Sequence, residues 1–144
     1  MASSAPFLPG ETHRFRKTVG ESDVYLFAGI TGDLSPNHVD EAAMARTPFG
    51  GRIAHGALIV GYMSACSTMA CEGRRSGPFG TPVSIGYDRI RFIAPVRIGD
   101  TIEVTYVLDG FDSDRRRSTA SVTVTNQSGD TVAVATHLMA WVED

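Results

Sequence analysis

Polar and apolar side chains alternate through THRFRKTV, residues 12–19, the period-two signature of a strand with one covered face. Ser22 followed by VYLFAGI then predicts a helix with the serine as its N-cap. Gly29, Gly32 and Pro36 break that regularity. From Gly32 to His38 the chain is predicted to be a loop, because Pro36 lacks an N–H and steers Ser35 away from helical geometry. Asp40 can cap a short helix from Glu41 to Arg46, after which TPFGGR turns the chain again.

The segment GALIVGYMSACSTMAC, residues 56–71, carries small or apolar residues on nearly every side, so a helix here must be covered all round. After the linker EGRRSGPFGTP come three runs suited to long antiparallel strands, VSIGYDRIRFIAPV, DTIEVTYVLDGF and RRRSTASVTVTNQ. A fourth, TVAVATHLMAWVED, closes the chain after an SGD hairpin turn. Helices first and strands later indicate an α+β domain with an antiparallel sheet. A curved sheet wrapped around one long central helix satisfies both patterns. Residues 1–144 read as one domain, with residues 1–10 expected to be flexible.

Composition narrows the functional classes. The chain has 144 residues, 42% hydrophobic and 20% charged, the profile of one ordinary globular domain. Its formal charge of −3 provides no basic field for nucleic acid. Cys66 and Cys71 lie five residues apart in the predicted helix, about 140° apart around its axis, which suits neither a disulfide nor a metal pair. Free thiols in a reducing compartment follow. MASSAPFLPG resembles no signal peptide, and the stretch from Ile53 to Cys71 reads as a buried helix rather than a membrane span, so the expected location is cytoplasmic.

GDLSPNHVD places a carboxylate at Asp33 and an imidazole at His38 on either side of a rigid turn. Such a pair can hold one water between them and exchange its proton in a dry pocket. An aspartate in a loop is also a common turn former and a histidine there a common surface residue, so the pair alone leaves both readings open. RIAHGALIVG adds a second feature, an uncharged helix beginning after His55 and Gly56. The first N–H groups of a helix lack internal partners and favour negative charge, and Gly56 has no Cβ to keep a substrate oxygen away. A thioester carbonyl could be polarised there. Gly56 also suits a plain, tightly packed helix start.

Residues 27–58, FAGITGDLSPNHVDEAAMARTPFGGRIAHGAL, resemble the MaoC-like (R)-specific, or type 2, enoyl-CoA hydratases of the hot-dog fold, with their GDxNPxHxD motif and IxHGM-like helix start. The resemblance implies a single hot-dog domain and a hydratase or dehydratase acting on an enoyl or 3-hydroxyacyl thioester, with an (R)-configured product. It implies Asp33 and His38 as the catalytic pair and the Gly56 N–H as the oxyanion donor. Ser64, a helix serine, falls near the family site, and Ser35, Asn37 and His55 are the remaining candidates for substrate contact. Ser35 stands where the family usually has Asn, and Ala57 where a bulky residue such as Met is common.

No metal and no separate cofactor is expected; coenzyme A or phosphopantetheine enters as part of the substrate, on CoA or on an acyl-carrier protein. Arg46, Arg52, Arg74, Arg75, Arg89 and Arg91 are candidates for its phosphates, whereas the run Arg115 to Arg117 reads as a solvated face. A homodimer is expected, to cover an edge strand and an open flank. Two other readings stay open: a hot-dog thioesterase, disfavoured because residues 56–71 contain no Asp or Glu, and a non-catalytic acyl-binding subunit.

Overall fold

In a computed structural model describing residues 3–144, the chain runs Thr12–Thr18 (β1), Glu21–Thr31 (α1), Pro36–Val39 (α2), Glu41–Ala45 (α3), Gly56–Ala70 (α4), Thr81–Phe92 (β2), Thr101–Asp112 (β3), Arg117–Thr125 (β4) and Thr131–Val142 (β5). The strands form one antiparallel sheet in the order β1-β3-β4-β5-β2. This is the α+β architecture expected, a hot-dog fold with α4 packed on β1 and β3.

The strand patterns explain the core. In β3, Ile102, Val104, Tyr106 and Leu108 face inward at every second residue, and β4 matches them with Ser118, Ala120, Val122 and Val124. Ile59, Met63, Cys66 and Ala70, spaced four, three and four apart, turn one side of α4 into this layer. Burying each large aliphatic side chain contributes roughly 1.5–3 kcal/mol. Both cysteines are free, and burial pushes the Cys66 thiol up to about 11.

Local chemistry corrects several sequence expectations. In the segment before β1, Phe7 is buried in the core and the Gly10 N–H donates to the Leu108 carbonyl at 2.7 Å, while Met1 and Ala2 lie outside the described residues. The N-cap of α1 is Gly20 rather than Ser22, because the Asp23 carboxylate accepts the Gly20 N–H at 2.7 Å. Arg115 and Arg117 are exposed as expected, but Arg116 is partly buried and donates to the Trp141 and Phe79 carbonyls at 2.9 and 2.6 Å. Nor is α4 covered all round. Ala57, Gly61, Ser64 and Thr68 form an exposed stripe opposite its buried side. Among the described residues no helix is long and apolar enough to cross a membrane.

The inner layer also holds a polar chain. His137 is fully buried, with Nδ1 2.6 Å from the Tyr106 hydroxyl and Nε2 2.8 Å from Ser84 Oγ, and its ring stacks on Tyr87. Burial holds this imidazole at about 4, below its ordinary 6.5. As pH falls, the unfolded chain therefore takes up the proton before the folded chain does. The stability is complete above pH 6.5 and is lost as pH descends toward 4, by roughly 1–3 kcal/mol. Urea midpoints measured across that window in the wild type and in His137→Gln check this; equal slopes in the two proteins would contradict it.

Candidate active site

The site begins where α1 stops. Gly32 adopts φ 80° and returns its N–H to the Ala28 carbonyl, ending the helix in a conformation that suits glycine. The Asp33 carboxylate then accepts the Ser35 N–H at 3.3 Å, and Ser35 Oγ accepts the Asn37 N–H at 3.4 Å. Pro36 does not keep this segment a loop to His38, as the sequence suggested. It occupies the first position of α2, where a missing N–H costs nothing because no intrahelical acceptor exists there.

Three hydrogen bonds sew residues 33–38 to residues 53–55. The Ile53 N–H donates to the Asn37 carbonyl at 3.0 Å, His38 Nδ1 lies 2.7 Å from the Ile53 carbonyl, and His55 Nε2 lies 3.0 Å from the Asp33 carbonyl. A carbonyl oxygen only accepts, so both facing ring nitrogens carry hydrogen. In the neutral ring this bond selects the Nδ1–H tautomer of His38 and leaves the lone pair on Nε2. The two imidazoles stack with centroids 3.6 Å apart and planes 26° from parallel. Their exposures differ from that of the acid: His38 is 9% and His55 1% accessible, whereas Asp33 is exposed.

Donor atoms of Asp33, His38 and His55 all lie within 4.8 Å of one another. That separation admits a metal ion, and with Nδ1 of His38 and Nε2 of His55 turned to backbone carbonyls one nitrogen of each ring is left for any further partner. The spacing fits one water held by the acid and the base.

Gly56 opens α4 directly after His55, and no side chain caps this end. The ring of Phe92 explains why position 56 lacks a Cβ: one built there would stand 2.5–2.8 Å from three ring atoms. Beside these residues lies a pocket of about 390 Å³, whose walls include His38, Gly56, Ile59, Phe92, Val96 and Val132 and no charged side chain. An apolar chain can lie there with its polar head at the helix N-terminus and at His38.

The remaining candidates separate. Ser35 acts as the cap of α2, Asn37 contributes its backbone carbonyl while its side chain is exposed, and His55 grips the Asp33 backbone. Ser64 is not brought into this cluster. It lies eight residues, about 12 Å, along α4 from Gly56, on the exposed stripe. Arg52 is held by Glu21 and Glu41 at 2.5 and 2.8 Å, and Arg74 by Glu11, which ties these two candidates for phosphate binding to carboxylates of the chain; Arg46, Arg75, Arg89 and Arg91 are exposed. Sequence reasoning missed Phe92 and the Ile53 carbonyl. For the carbonyl no side-chain signal exists, and for Phe92 the only hint was a glycine able to admit a ring.

Residues 6–132 match the MaoC like domain family. The chain belongs to this family. The match is supported by an (R)-specific enoyl-CoA hydratase of Rhodospirillum rubrum, 39% identical over 116 residues, 81% of this chain and 76% of that one. A 3-hydroxybutyryl-CoA dehydratase of Methylorubrum extorquens is 41% identical over 125 residues, 87% and 74% of the two chains. The unliganded R-hydratase from Pseudomonas aeruginosa superposes with a TM-score of 0.79 at 30% identity, covering 96% of this chain and 84% of that one. Within the MaoC-like pattern the departure at Ser35 is now accounted for locally: serine and asparagine are equally good N-caps, and this serine retains the capping role.

Proposed function

We propose that the chain is a hydro-lyase that reversibly adds water across the 2,3 double bond of an enoyl thioester to give the (R)-3-hydroxyacyl thioester, carried on coenzyme A or a phosphopantetheine arm. The observation that carries this reading is the open Nε2 of His38, held near the Asp33 carboxylate and beside a helix N-terminus at the head of an uncharged pocket. A water between Asp33 and His38 gives its oxygen to C3 and one proton to the pair. Electron density moves to the thioester oxygen, where the Gly56 N–H, which has no acceptor within its own helix, donates to the enolate and stabilises it. The pair returns the proton to C2, completing addition of one water. The reverse sequence dehydrates. The mechanism moves protons and hydroxide only and calls for no redox group or metal.

The names of the hydratase and dehydratase relatives support this reaction class. The working unit is proposed to be a homodimer, because β2 is an edge strand with Val83 and Ile85 exposed and the stripe of α4 beside the sheet is open. Light scattering at twice the chain mass checks it.

Crotonyl-CoA tests the chemistry. Loss of the conjugated enoyl absorbance without release of free thiol is expected, with an (R)-3-hydroxy product. Thiol release with the double bond intact would establish a thioesterase instead. No reaction with crotonyl-CoA or with longer and branched enoyl thioesters would leave a non-catalytic acyl-binding protein.

A further inference from the structure

We infer that His55 is the positioning residue of this site, holding the Asp33 backbone with one nitrogen and the His38 ring with its face. The inference rests on the hydration reading above for its kinetic test. It goes beyond the sequence expectation of a substrate contact at this position.

His55 is 1% accessible and packs against the aromatic rings of His38 and Phe27, whose centroids are 3.6 and 4.7 Å away. Its Nε2–H donates to the Asp33 carbonyl at 3.0 Å, and its Nδ1 is buried with no hydrogen-bond partner among the described residues. A buried acceptor left unpaired is destabilising. A residue serving only to fill this space would be better apolar, since a phenyl ring stacks equally well and leaves no lone pair stranded. What an imidazole adds is the Nε2–H, and that donor is spent on the residue that carries the catalytic acid.

The arrangement joins the two halves of the proton-transfer pair. Asp33 lies in an exposed turn, and the bond from His55 anchors its backbone from the protein interior. His38 is fixed at its edge by the Ile53 carbonyl and on its face by the His55 stack, so the Nε2 lone pair has one direction. When Nε2 takes the proton from water, the His38 ring stays stacked on His55 and held at its Nδ1 edge, so the transfer needs no reorientation of the base. A small displacement of either partner is enough to reduce such a transfer severely.

Three measurements on the full chain test the inference. In protein labelled with ¹⁵N in its imidazoles, His55 is expected as the Nε2–H tautomer and His38 as the Nδ1–H tautomer; the opposite tautomer at His55 would overturn the proposal whatever the enzyme's substrate. With crotonyl-CoA, His55→Phe keeps a stacking ring and loses the donor, and is expected to lower kcat on the order of tenfold to a hundredfold with KM within about twofold. His55→Gln restores an N–H toward Asp33 and is expected to recover at least about threefold of that kcat relative to the Phe variant. A Phe variant with undiminished kcat, a loss confined to KM, or a Gln variant no better than Phe would each refute the positioning role. Wild-type inertness toward every enoyl thioester would instead strike the hydration reading, leaving the tautomer result to decide the structural claim.

Discussion

Asp33→Asn is expected to lower kcat for crotonyl-CoA hydration by about 10²–10⁴, and His38→Ala by a similar factor, the range typical of a lost general acid or base. The asparagine is nearly isosteric, keeps an oxygen to accept the Ser35 N–H, and sits on an exposed turn, so the fold should persist. It has no basic oxygen of carboxylate strength to hold or take a proton from water. His38→Ala removes the lone pair at Nε2 together with the bond to the Ile53 carbonyl, and leaves a gap against His55. His38→Gln is the control, because its amide can donate to that carbonyl without providing a base. Because the two groups act on one water, the double variant should be little worse than either single variant. Circular dichroism spectra unchanged from wild type and kcat retained above a tenth in either Asp33→Asn or His38→Gln would remove these residues from the proton-transfer roles.

Gly56→Ala carries the next largest expected effect. Its methyl group would meet three Phe92 ring atoms at 2.5–2.8 Å. Phe92 is 56% accessible and sits at the end of β2, so its ring can swing outward and the protein should still fold. That swing opens the wall of the pocket beside the oxyanion donor. A drop in kcat/KM of about tenfold to a hundredfold is expected, since displacements near 1 Å cost rates of this order. If the ring transmits the effect, Phe92→Ala should lower kcat/KM by itself and make the further Gly56→Ala change almost neutral. Activity of Gly56→Ala within about twofold of wild type would show that neither the bare Cα nor the ring contact matters to turnover.

Much of this fold is legible in the chain. The runs that form β3 and β4 read as strands directly, because strand propensity and period are properties of the local chain and need no partner to read. The boundary between helices and strands followed from the turn residues between 72 and 82. The loop before His38 was read with less success. Pro36 signals a break in one context and a helix start in another, and what distinguishes them is whether the residue before it caps. Likewise Ser22 and Gly20 compete for one helix start, and the Asp23 carboxylate decides between them.

The site divides along the same line. Asp33, His38 and Gly56 were legible as candidates because their chemistry is written in their own side chains or, for Gly56, in the lack of one. Which nitrogen of His38 is basic was not, because the Ile53 carbonyl 15 residues later chooses the tautomer. The gripping role of His55 depends on the Asp33 backbone 22 residues earlier. Phe92 meets Gly56 only after α4 and β2 have packed, and Ser64 is carried away from the cluster by eight residues of helix rise. Residue order thus sets periodicity, breaks and the stock of acids, bases and donors, since these depend on neighbours along the backbone. Hydrogen-bond partners, ring stacking and distances across the pocket belong to the tertiary structure, because they are formed between segments that only packing brings within reach.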